Sequence, residues 1–138
     1  MPGILLKISG ERNPELARRV VPEITALTSS LLDKRPERTM VMLQWVPHED
    51  WFIAGKSLVQ HGKNSFRLEM TITDETNTKE QKAAFHKAAF AALSQLIGNV
   101  HLHSNIHIID CRASAYGYGG ETQEFRHLQA KLTAAVAA

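Results

Sequence analysis

The chain has 138 residues, 43% of them hydrophobic and 22% charged, which suffices for one domain with a real core and argues against two. A formal net charge of +2, with acids and bases interspersed, lacks the concentrated basic stripe of a nucleic-acid binder, and no stretch approaches the roughly 20 apolar residues of a membrane span. Cys111 is the single cysteine, so no intrachain disulfide forms, and no basic region leads into an apolar run and cleavage site; a cytoplasmic protein with a small-molecule partner is expected.

Pro2 directly follows Met1. Removal of Met1 would leave a secondary amine at the start of a strand, and burial or nearby cations pull an amine's pKa toward neutrality, where it can carry protons. A frayed terminus is the plain alternative. Ile4, Leu6 and Ile8 alternate as in a half-buried strand, and Asn13, Pro14 and Glu15 come next as N-cap, first-turn proline and first-turn acid of a helix. Its buried stripe is expected at Leu16, Val20, Ile24, Leu27 and Leu31, with a kink at Pro22, which removes a backbone donor and crowds the preceding turn. Met40 to Val46 reads as the returning strand, and His48, Glu49 and Asp50 as a polar loop.

Farther along, Phe66, Leu68, Met70 and Ile72 alternate with Arg67, Glu69 and Thr71, the clearest strand pattern in the chain. Thr78 and Gln81 have capping-box spacing, and Phe85, Ala89, Leu93, Leu96 and Ile97 form the apolar stripe of a helix that Gly98 ends. Ile106 to Ile109 reads as a last main strand. Tyr116 to Gly120 is a turn-rich aromatic segment, succeeded by a short helix from Glu121 that gives way to alanines. His101, His103 and His107 alternate as they would on one strand face, a spacing compatible with a metal, but no fourth ligand is evident and no metal site is expected.

The two halves echo each other 64 residues apart: Ile8 to Asn13 align without a gap on Ile72 to Asn77, Phe52 falls on Tyr116, and Gly55 on Gly119. The expected organisation is a single domain over 1–138, with repeat one at 2–61, repeat two at 66–126 and a tail at 127–138. Two βαβ units with right-handed crossovers predict an α+β fold, a four-stranded mixed sheet with two helices on one face. The other face is left bare, with Trp45, Leu5 and Val41 expected to be covered by another subunit of a dimer or trimer.

With Pro2, the Gly10-Glu11-Arg12 turn, Phe52 just before Gly55 and the 64-residue echo in this order, the chain resembles the tautomerase superfamily up to about Arg126. It is similar both to fused two-unit members such as 5-carboxymethyl-2-hydroxymuconate isomerase and to the single-unit 4-oxalocrotonate tautomerase. The resemblance implies a homotrimer with pockets at subunit boundaries and a cofactor-independent isomerase acting on small unsaturated 2-oxo or 2-hydroxy acids. Pro2 would be the catalytic base and Arg12 a ligand for the substrate carboxylate. Phe52 would be the apolar aromatic that depresses the proline pKa, although a core aromatic near a turn is its alternative. Tyr116 and Tyr118 would line the pocket, although glycine-flanked tyrosines also serve as packing at a subunit edge.

The chain also departs from the family pattern. Single-unit members carry a second arginine on the returning strand, supplied from another subunit, where this chain has Val41 and, in the echo, Asn105. Asn105 can donate one hydrogen bond to a substrate oxygen but cannot pair with a second carboxylate. Arg38, Arg67 and Arg112 are the available substitutes, and the sequence leaves the choice open. Phe66 and Thr76 stand at the proline and arginine positions of repeat two, so one proline site per chain is expected. Dehalogenase and decarboxylase activities lose ground, because Ala115 stands where an acid and Asp74 and Thr76 where arginines are expected. A catalytically silent binding or structural trimer of the same fold stays open as the other class.

Overall fold

A computed structural model describes residues 2–137; Met1 and Ala138 lie outside the described residues, and with Met1 the expected removal of that residue. β1 (Gly3–Ser9) leads to α1 (Pro14–Leu32), a 3₁₀ turn at Pro36–Arg38 and β2 (Met40–Val46). A second 3₁₀ turn (His48–Asp50) precedes the small hairpin of β3 (Phe52–Ile53) and β4 (Lys56–Ser57), then the one-turn helix α2 (Leu58–His61). The second half repeats the plan: β5 (Phe66–Thr73), α3 (Lys79–Ile97), β6 (Asn105–Cys111), the hairpin of β7 (Gly117–Tyr118) and β8 (Glu121–Thr122), and α4 (Gln123–Ala137).

The sheet order is β2-β1-β5-β6, with β1 parallel to β2, β5 parallel to β6 and the central pair antiparallel. Each half is thus a βαβ unit, and the antiparallel centre relates the halves by an approximate twofold axis. Ile4, Leu6 and Ile8 of β1 and Phe66, Leu68, Met70 and Ile72 of β5 are buried beneath α1 and α3, which pack on each other. At about 25 cal/mol per Å² of buried apolar surface, this shared layer is the main favourable contribution to the fold.

Local signals set the helix limits. The Asn13 side chain accepts a hydrogen bond from Leu16 N at 3.1 Å, and Pro14 opens α1. Thr78 and Gln81 close a reciprocal capping box, Gln81 N donating to Thr78 Oγ1 at 3.1 Å and Thr78 N to Gln81 Oε1 at 2.9 Å. Thr78→Ala should therefore cost about 1 kcal/mol, read as a lower urea midpoint with unchanged m-value. α1 continues through Pro22, whose ring lies on the exposed face, so the Arg18 carbonyl that loses its donor is open to solvent.

Several expectations need correction. The fully buried stripe of α1 is Val20, Ile24, Thr28 and Leu32, not a run ending on Leu31; Thr28 is tolerated there because its hydroxyl donates to the Ile24 carbonyl at 2.7 Å. Val41 and Trp45 do not lie on the bare face: they pair with Ile4 and Ile8 and pack, with Leu43, against the helix-covered core. Leu5 does lie on the bare face, and its apolar neighbours there are Met40, Met42 and Ile109, each at least 43% exposed. The helix after Glu121 runs on through the alanines to Ala137, as the high helix propensity of alanine allows. His101 and His103 precede β6 and only His107 is on it, so the three do not alternate along a strand. Among the described residues no group of three or more His, Cys, Asp or Glu is placed to hold a metal, and no helix is long and apolar enough to cross a membrane.

Candidate active site

Pro2 is buried, and its carbonyl accepts a hydrogen bond from Met40 N at 3.1 Å, so the residue is tied into the sheet and is not frayed. Since Gly3 pairs with Thr71 across β1 and β5, this end of the sheet also holds Thr73 at the close of β5. Tyr116 joins the same group, its hydroxyl hydrogen-bonded to the Thr73 hydroxyl. Burial raises the Tyr116 pKa above its ordinary value, with the Thr73 hydrogen bond opposing, so the phenol stays protonated near neutrality and can donate. The turn carrying Tyr116 is fixed by Gln123 N donating to the Tyr116 carbonyl and Glu124 N to the Ala113 carbonyl, each at 2.9 Å. Gly117 is required beside it, because a Cβ there would lie 1.9 Å from the Glu121 carbonyl oxygen.

Arg12, Phe52 and Asn105 lie at the other end of β1. Arg12 is exposed just before α1, Asn105 opens β6 opposite Arg67, and Arg67 itself faces Lys7. Five residue-to-residue steps along extended chain separate Pro2 from Lys7, roughly 17 Å at about 3.3 Å per step. Within one chain, then, the fold brings Pro2 together with Tyr116 and does not bring either to Arg12, Phe52 or Asn105. The approximate twofold axis accounts for this: repeat two presents Tyr116 and Thr76 at the proline end, while repeat one presents Phe52 and Arg12 at the end where Phe66 replaces proline. Phe52 is 61% exposed, which excludes its alternative role as a core aromatic.

The same axis sorts the spare arginines. Arg38, just before β2, and Arg112, just after β6, belong to the proline end, and Arg67 belongs to the far end. Sequence reasoning missed another cation at the proline end. Lys34 lies just past α1 and its Nζ donates to Thr76 Oγ1 at 2.9 Å. Partial burial lowers its pKa, with the Asp33 and Asp110 charges opposing. In the sequence it is one charge within Asp33-Lys34-Arg35, and only the antiparallel joining of the halves sets it against Thr76.

At the far end Arg67 Nε donates to Glu69 Oε1 at 2.7 Å and Nη1 to Asn105 Oδ1 at 3.4 Å. That first bond holds the Glu69 carboxyl below its ordinary value. Such a group stabilises the fold above its unfolded pKa, and the contribution is lost as pH falls through the lowered native value. Glu69→Gln should accordingly flatten the loss of stability as pH falls below about 5, measured as urea midpoints at successive pH values.

The chain shares its fold with solved structures of fused 4-oxalocrotonate tautomerases and of a macrophage migration inhibitory factor. A fused 4-oxalocrotonate tautomerase described as an asymmetric trimer superimposes with a TM-score of 0.78 at 14% identity, covering 90% of this chain and 98% of that one. The protein Pt0534, inactivated by 2-oxo-3-pentynoate, gives 0.79 at 14% identity over 90% and 98%. Macrophage migration inhibitory factor of Toxoplasma gondii gives 0.71 at 12% identity over 87% and 98%. No protein-family profile and no curated protein matches the sequence.

Proposed function

We propose that the protein is a cofactor-independent tautomerase or isomerase of small unsaturated 2-oxo acids, with Pro2 as general base once Met1 has been removed. The observation that carries this reading is the burial of Pro2 immediately before the central strand β1, its carbonyl fixed by Met40 N. Burial disfavours the charged form of an amine, which leaves a neutral nitrogen lone pair available near neutral pH. That lone pair takes a proton from an enol hydroxyl, or from carbon next to a carbonyl; electrons shift through the conjugated system, and the proton is returned to another carbon.

Tyr116 supplies a neutral donor for the oxygen on which charge develops, and Lys34 is the half-buried cation of the same end. The assembly that fits the reading is a homotrimer, supported by the trimeric fused 4-oxalocrotonate tautomerase and by the apolar part of the bare face around Leu5, Met40, Met42 and Ile109. Arg12, Phe52 and Asn105 act as substrate-binding residues across the subunit boundary, because within one chain they are remote from Pro2. The working unit is the pair of repeats, 2–61 and 66–126, with 127–138 as a tail. Intact mass together with the rate of ketonisation of phenylenolpyruvate, monitored by ultraviolet absorbance, tests the reading. Protein lacking Met1 should be active, and full activity in material that retains Met1 would overturn it, since the Pro2 nitrogen would then be an amide.

A further inference from the structure

The far end of β1 holds a cavity of about 360 Å³, within the range of small-molecule sites, lined by Lys7, Arg67, Asn105, Trp51, Phe52 and Asp50 among others. Its chemistry is unusual for a plain surface. Lys7 and Arg67 are directly opposite each other across β1 and β5, an arrangement of like charges that destabilises a strand pair. Glu69 hydrogen-bonds only Arg67 Nε, its charge acting on Lys7 from farther off; Asn105 is a long contact, and Lys7 has no hydrogen bond or close ion pair among the described residues. The equivalent positions at the proline end, 64 residues displaced, are Thr71 and Gly3. The cation pair is thus peculiar to the end that lacks a proline, beside an indole and an exposed phenyl ring.

We propose that this cavity is a binding site for a small flat monocarboxylate, with Arg67 and Lys7 holding the carboxylate and Trp51 and Phe52 covering the planar body. A guanidinium fork pairs with a carboxylate through charge-assisted bonds, and the anion relieves the repulsion between the two cations. Asp50 on the wall disfavours a second carboxylate, which selects monoacids over diacids. The inference rests on the proposed function only for the roles of Phe52 and Asn105 as ligand-facing residues; the binding itself requires no proline on the same chain.

Isothermal titration with benzoate and with benzamide, its neutral analogue of nearly the same shape, tests the site. Benzoate should bind at least about tenfold more tightly than benzamide, and Arg67→Ala should remove that preference. Equal binding of the two probes, absence of benzoate binding, or an unchanged preference in Arg67→Ala would overturn the proposal. Should Arg67→Ala fail to fold, Lys7→Gln carries the same test, with a weakened benzoate preference expected and an unchanged one decisive against. Asp50→Asn should raise affinity for terephthalate relative to benzoate. Pro2→Ala should bind benzoate like the native protein; if that variant binds normally and also turns over phenylenolpyruvate normally, the proline base is wrong while the acid site stands.

Discussion

Pro2→Ala is expected to lower kcat for phenylenolpyruvate ketonisation by about a hundredfold or more, the usual contribution of a positioned general base. The substitution keeps a terminal amine, so the effect isolates the proline's ring and its buried setting. It should leave thermal stability nearly unchanged, because the bond anchoring Pro2 runs from Met40 N to a backbone carbonyl that alanine also has. Loss of rate with an unchanged melting temperature supports a chemical role. Equal rates in the two proteins would remove Pro2 as the base, and a parallel fall of rate and stability would assign the residue to structure. The pH profile adds a second reading: activity in the native protein should fall as pH drops through the proline pKa, since protonation removes the lone pair, and that acid limb should move in the variant.

The largest effect on stability is expected at the residue that occupies the proline position of repeat two. Phe66 is 0% exposed, and its ring lies 5.5 Å from that of Phe90. Truncating a fully enclosed phenyl group leaves a cavity in addition to the lost transfer energy, so Phe66→Ala should cost about 3–5 kcal/mol in urea unfolding. Phe52→Ala makes the matched control. Its ring is 61% exposed, and the change should stay within about 0.5 kcal/mol. If the two substitutions proved equally costly, the distinction between an enclosed and a ligand-facing aromatic would fail.

Much of this fold can be read in the sequence because its signals are local. The alternation of Phe66, Leu68, Met70 and Ile72 and the caps at Asn13 and Thr78 depend on residues within a few positions of one another, and each element begins where those residues require. The face chosen by β2 is different. Met40 and Met42 are as apolar as Val41, Leu43 and Trp45, so hydropathy does not say which row goes inward; the register of β2 on β1 decides it. The site is less legible for the same reason. The motif residues Pro2, Arg12 and Phe52 are close in order along one repeat, yet a strand that starts at the first and ends near the others separates them. Their equivalents from the other repeat, Tyr116 and Thr76, come to the proline end through antiparallel pairing that no window of sequence contains.

The bond from Met40 N to the Pro2 carbonyl bears on how the proposed base would tolerate change around it. A catalytic side chain loses rotamer freedom when it is held in place, and a neighbour's mutation can release it into another rotamer. A nitrogen that belongs to a ring and to the main chain has no side-chain rotamers to restrict. Substitutions around Pro2 can alter solvent access and charge without swinging the nitrogen out of line, so on the proposed reading the surroundings are free to vary widely in sequence while the ring nitrogen stays where the sheet holds it.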